Sequence, residues 1–136
     1  MASAGYSKTP LAKKLGIKAN MRVAVLNEPR QLRRLLKPLP DDVEFSATLR
    51  GKKDLALLFY KRRTELGRKL DPAGRCIFPA GAIWVAWPKK ASKVPTDITE
   101  DVVRELALPK GLVDVKVCAI DETWSGLKVV WRKERR

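Results

Sequence analysis

Apolar residues recur along this chain in two rhythms. Continuous runs predict strands buried on both faces: Met21–Leu26, "DLALLFY" (Asp54–Tyr60) and "AIWVAWP" (Ala82–Pro88). A shorter, more polar run, Val43–Ala47, predicts another strand, and Val113–Ile120 and Leu127–Arg132 predict two more. Between them the period lengthens. Leu32, Leu35, Leu36 and Leu39 share a helical face, with Arg33, Arg34 and Lys37 between them, until "PLP" at 38–40. Ile98, Val102, Val103 and Leu106 form a second stripe. Asp97 and Glu100 have capping-box spacing at its start, and Pro109 and Gly111 stop it. Arg62 to Leu70 predicts a further helix, after which Asp71 and Pro72 read as the cap and first position of a separate helical turn. "TPLAKKLGI" reads as a short helix with Thr9 as cap, Pro10 at its first position and Gly16 as its left-handed stop. Residues 1–8 are small and polar and read as loose.

This order predicts an open α/β sheet, mostly parallel, with an antiparallel hairpin across "DETWSG". The apolar strand 82–88 belongs inside it, which gives the order 2-1-3-4-6-5. One joint is awkward. "TLRGKK" is too short for a helical crossover, so strand 43–47 is either reached by extended chain or is an irregular edge. Residues 1–20 read as an arm with its short helix, and 21–136 as the domain.

Charge changes the picture more than composition does. The 136 residues carry a formal net charge of +14, which favours an anionic partner: a phosphorylated ligand, nucleic acid or an acidic protein surface. A merely solvated basic surface is the plainer reading. "RKERR" at 132–136 reads as a solubilising tail or an extension of a nucleic-acid footprint. There are no histidines, so no imidazole base or ligand exists. Cys76 and Cys118 read as reduced thiols, and no metal-ligand spacing occurs. No apolar run approaches the roughly 20 residues that span a bilayer, and "MASAGYSKTPLAKK" has no signal core, so no membrane partner and a cytoplasmic location are expected.

"LGIKANMRVAVL" (15–26) resembles the segment that leads into the first strand of class I methyltransferases, and the closing hairpin resembles theirs. The resemblance implies a small Rossmann-like domain of methyltransferase-type topology. "YSKTPLAKKLGIKANMRV", "WPKKASKVPTDITEDVVRE" and "VDVKVCAIDETWSGLKVVWRKE" resemble a bacterial family of small Rossmann-like proteins with no assigned activity. S-adenosylmethionine needs a glycine turn after the first strand so that backbone can approach it. Here that turn is Asn27-Glu28-Pro29, and Ser46, Ala47 and Thr48 stand where a ribose-binding acid belongs. No cofactor is therefore expected.

In open parallel sheets ligands bind beyond the strands' carboxyl ends. Lys61, Arg62 and Arg63 follow the third strand there, Lys89, Lys90, Ser92 and Thr96 the fourth, and Asp121, Glu122 and Trp124 the fifth. Lys61, Arg62, Arg63, Lys89, Lys90, Ser92, Thr96 and Trp124 form a candidate anion or partner site, with one depression bordered by both lysines and an arginine. The rival reading is a latch, in which Glu28, Asp121 and Glu122 neutralise the lysines. Trp124 either anchors its loop or stacks a ligand. The preferred function is a non-catalytic binding or regulatory domain for an anionic ligand or partner. A non-specific nucleic-acid-binding protein is the first alternative, and a degenerate S-adenosylmethionine-dependent methyltransferase-like enzyme the second.

Overall fold

The computed structural model describes residues 9–136, so the expectation for residues 1–8 lies outside it. Six strands form one sheet in the order β2-β1-β3-β4-β6-β5. They are β1 (Arg22–Leu26), β2 (Glu44–Ser46), β3 (Leu55–Phe59), β4 (Ala82–Pro88), β5 (Leu112–Ala119) and β6 (Trp124–Trp131). The first four pair in parallel; β6 runs antiparallel to both β4 and β5. The order is the one expected from the apolar character of β4 and the closing hairpin. A register shift between Asp114 and Lys116 bulges β5.

The awkward joint resolves simply. β2 and β3 flank β1 on opposite sides, and both are parallel to it. The chain from Ala47 to Asp54 crosses without a helix, and Leu49 packs against the core on its way. Strand 43–47 is thus a parallel edge strand, cut to three residues.

The helices differ from their expected bounds for local reasons. α1 (Leu11–Leu15) ends at Gly16, whose φ of 84° supplies the left-handed stop. α2 covers only Leu32–Leu35. Pro38 has no N–H and disfavours helical backbone before it, so Leu39 reaches the core from outside the helix. α3 is one helix, Arg63–Ile77, with Pro72 inside it, rather than two. Its buried stripe of Leu66, Leu70, Ala73 and Ile77 runs straight through the proline. Pro72 leaves the carbonyl of Arg68, an exposed residue, without its helical donor. α4 (Glu100–Ala107) is capped by Thr99, whose hydroxyl accepts the Val102 N–H at 3.2 Å. Asp97 lies too early for that role and instead accepts the Arg63 N–H at 2.7 Å, capping α3.

Two apolar clusters flank the sheet. α3 and α4 pack with Leu58, Ile83, Val85 and Leu127 on one face. α1 and α2 pack with Val25, Leu57, Phe59 and Trp84 on the other. Buried Trp84 donates its Nε1–H to the Leu15 carbonyl at 2.9 Å, tying α1 to the sheet. Trp131 does the same to Gly74 of α3 at 2.9 Å. Cys76 and Cys118 form no disulfide and lie in opposite clusters, so the sheet separates the thiols. No helix among the described residues is long and apolar enough to cross a membrane.

Candidate ligand-binding site

β1, β3, β4 and β5 all point the same way, so their carboxyl ends meet at one edge. The turn after β1 makes up for its missing glycine. Asn27 adopts φ 57°, a left-handed conformation that asparagine's short polar side chain tolerates. Its Nδ2 donates to the Phe59 carbonyl at 3.0 Å, pinning the β1 exit to the β3 exit. Glu28 pairs with Arg33 at 3.0 Å, and that guanidinium lies 4.0 Å over the Phe45 ring. At the end of β2, the Ser46 hydroxyl donates to the Thr48 carbonyl and the Thr48 hydroxyl accepts the Arg50 N–H. Both hydroxyls hold their own turn.

Beyond the β1 and β3 exits lies a cleft of about 310 Å³. Trp124 supplies an aromatic wall, backed edge to face by buried Phe59 with centroids 5.2 Å apart. Lys61, Arg62 and Glu65 carry its charge, and Asn27 borders it on the β1 side. Tyr60 also lines it; burial, and then Glu65, push its phenol up, so it stays protonated and able to donate. Asp121 holds Trp124 in place, since its Oδ1 accepts the N–H groups of Thr123 and Trp124 at 2.8 and 2.7 Å.

The other expected residues divide into groups. Lys61 and Arg62 border a second depression, of about 550 Å³, walled by Val94, Pro95 and Thr96. Lys89 and Lys90 border a third, of about 600 Å³, on which the same three residues abut. The segment from Val94 to Thr96 thus stands between the two basic groups, where one shared depression was expected. Thr96 fixes that partition: its hydroxyl donates to the Lys61 carbonyl at 2.7 Å and accepts the Ile98 N–H. Ser92 shapes its own turn, donating to the Lys89 carbonyl at 2.7 Å and accepting the Val94 N–H. Arg63 reaches Glu105 on α4 at 3.4 Å.

The charged latch takes a different form. Among the described residues, no ion pair joins Lys89 or Lys90 to Glu28, Asp121 or Glu122. Glu28 is held by Arg33, Asp121 by its own turn, and Glu122 is exposed. The loops are joined by backbone instead, through Lys89 N–H to the Thr123 carbonyl at 2.7 Å. A backbone donor next to a strand end satisfies itself without two lysine side chains giving up their freedom.

Sequence reasoning missed two basic features. Lys93, at φ 62°, joins Lys89 and Lys90 on one tight turn. Lys128 stands opposite Lys116 across the β5–β6 pair. Burial, then Lys116 and Lys18, lower its pKa. The hairpin register would have paired these lysines had the turn and the β5 bulge been placed first.

No protein-family model and no curated protein matches this sequence. Solved structures do match its fold. A SAM dependent methyltransferase from Aquifex aeolicus superposes with a TM-score of 0.61 at 14% identity, covering 88% of this chain and 86% of that one. A putative methyltransferase from Thermoplasma acidophilum gives 0.57 at 8% identity, over 93% and 76%. The N-methyltransferase NodS from Bradyrhizobium japonicum, solved with S-adenosyl-L-homocysteine, gives 0.55 at 14% identity, over 88% and 81%. The chain has the Rossmann-like methyltransferase fold, with its six-stranded sheet open and its last two strands antiparallel to one another.

Proposed function

We propose that this protein is a degenerate methyltransferase-like domain whose strand-end cleft binds a nucleotide-sized anion. The observation that carries this reading is the cleft's lining: the half-buried Trp124 ring beside the cations Lys61 and Arg62, at the β1 and β3 exits. A base stacks on aromatic faces, and a guanidinium grips phosphate through paired donors. The volume of about 310 Å³ lies at the small end of ligand sites. S-adenosylmethionine carries a sulfonium cation, which Lys61 and Arg62 repel. The β2 end offers no carboxylate to its ribose, only Ser46 and Thr48 engaged in their own turn.

Calorimetry on the whole chain tests this. Adenosine monophosphate binds, S-adenosylmethionine binds more weakly, and Arg62→Glu weakens the nucleotide by about tenfold or more. Micromolar S-adenosylmethionine binding with no nucleotide binding overturns the reading.

A cofactor-using methyltransferase is the second reading. It is favoured by Asn27, whose left-handed backbone keeps the turn tight without glycine, and by neighbours solved with S-adenosyl ligands. Methyl transfer would then need an acceptor site, and a radiolabelled methyl group would appear on the acceptor.

A further inference from the structure

We infer that the depression beyond β4 is a separate binding site for an amphipathic organic anion, an aromatic or medium-chain carboxylate. This does not depend on what the strand-end cleft holds. The depression, about 600 Å³, lies between the turn after β4 and the start of α4. Its wall is apolar where half-buried Val94 and exposed Pro95 line it, backed by the buried side chains of Trp87 and Ile98. Its charge comes from Lys89, Lys90 and Lys93.

Those three lysines are brought together by a short stretch of chain. A single 3-10 turn, Lys90–Ser92, holds Lys90 between the flanking Lys89 and Lys93, and Lys93 closes it in the left-handed conformation. The Ser92 hydroxyl, bonded to the Lys89 carbonyl and the Val94 N–H, holds the turn from within. Thr96 holds its far end to the Lys61 carbonyl, just beyond β3. Among the described residues no carboxylate pairs with any of the three lysines. The one acid lining the depression, Glu100, is already bound by Arg104.

The site therefore joins two incompatible demands. Three neighbouring cations repel one another unless an anion joins them, at a cost that rises as water is excluded. The accessible apolar surface of Val94 and Pro95 gains from covering but offers a bare phosphate nothing. One molecule meets both demands: an anionic head at the lysines with an apolar body on Val94 and Pro95. Because the turn is already fixed by hydrogen bonds, little ordering cost opposes binding.

Fluorescence titration with 8-anilino-1-naphthalenesulfonate, followed by displacement, tests this on the whole chain. The dye binds saturably, and 2-naphthoate displaces it. Both 2-naphthalenemethanol and inorganic phosphate bind at least about tenfold more weakly than 2-naphthoate. The triple change Lys89→Ala, Lys90→Ala and Lys93→Ala weakens 2-naphthoate by about tenfold or more while the unfolding midpoint stays close to that of the parent. Should that triple variant misfold, exposed Lys90→Ala alone still weakens 2-naphthoate measurably. Arg62→Glu leaves 2-naphthoate binding unchanged, which separates this site from the strand-end cleft. Absence of saturable dye binding overturns the inference. So does equal binding of the alcohol or of phosphate, or an affinity that the lysine variants leave intact.

Discussion

The two faces of the sheet are built on different scales. One is covered by α3 and α4, of fifteen and eight residues. The other is covered by α1 and α2, of five and four. Helices this short are not stable on their own, so the second face relies on tertiary anchors. Trp84 holding the Leu15 carbonyl is the clearest of them. The thicker face supports itself through helix stripes that continue past local breakers such as Pro72. One face generates its own stability and the other draws it from the sheet.

Truncation in the two cores should separate the faces most. Leu70→Ala, deep under α3, is expected to cost about 3–4 kcal/mol, and Leu15→Ala, under the short α1, about 2 kcal/mol. Urea unfolding measures both, and equal losses would mean that the two faces are equally self-supporting. Trp84→Phe strips the Leu15 carbonyl of its donor and should cost about 1–3 kcal/mol. Hydrogen exchange should then speed up in α1 far more than in α3; a uniform acceleration would show that the anchor serves the whole fold.

Gly74→Ala sharpens the other side. A Cβ there would lie 2.9 Å from Trp131 Cζ2, and that ring is fixed by its bond to the Gly74 carbonyl. The expected loss is about 1–2 kcal/mol, read as a lower denaturation midpoint. The smallest effect has the opposite sign. Lys128→Met removes a lysine whose pKa is lowered by burial and by Lys116 and Lys18, and should raise stability by about 0.5 kcal/mol. A lowered lysine pKa means that the folded state resists the charge. The penalty is fully present below the folded value and disappears as pH rises toward 10.5. The gain from Lys128→Met should thus be greatest near neutral pH and fade in alkali.

The strand order was legible because β3 and β4 are apolar on every position, which leaves them no place but the interior. The site was legible only in part. Sequence position says that Lys61 and Lys89 leave neighbouring strands, but not that Thr96 will reach back to the Lys61 carbonyl and place a wall between them. Asp97 reads locally as the cap of the helix that follows it. Its actual partner, the Arg63 N–H, lies 34 residues away. Local pattern cannot rank those two uses, because the second exists only once the sheet has formed. Asn27 was a readable signal: asparagine is one of the few residues that takes glycine's place in a left-handed turn.

The bulge in β5 bears on how this molecule behaves when crowded. The two outer strands are the places where another chain can continue the ladder of backbone hydrogen bonds. On the β2 side there are only three residues to pair with. On the β5 side there are eight, with Val115 and Val117 about half exposed, a surface that invites aggregation. The irregularity between Asp114 and Lys116 interrupts that template midway, and Lys116 sets a charge beside the valines. Removing Val115 to straighten the strand, together with Lys116→Val, would turn a terminated sheet into one that propagates, detected as fibrils under conditions that leave the parent protein in solution.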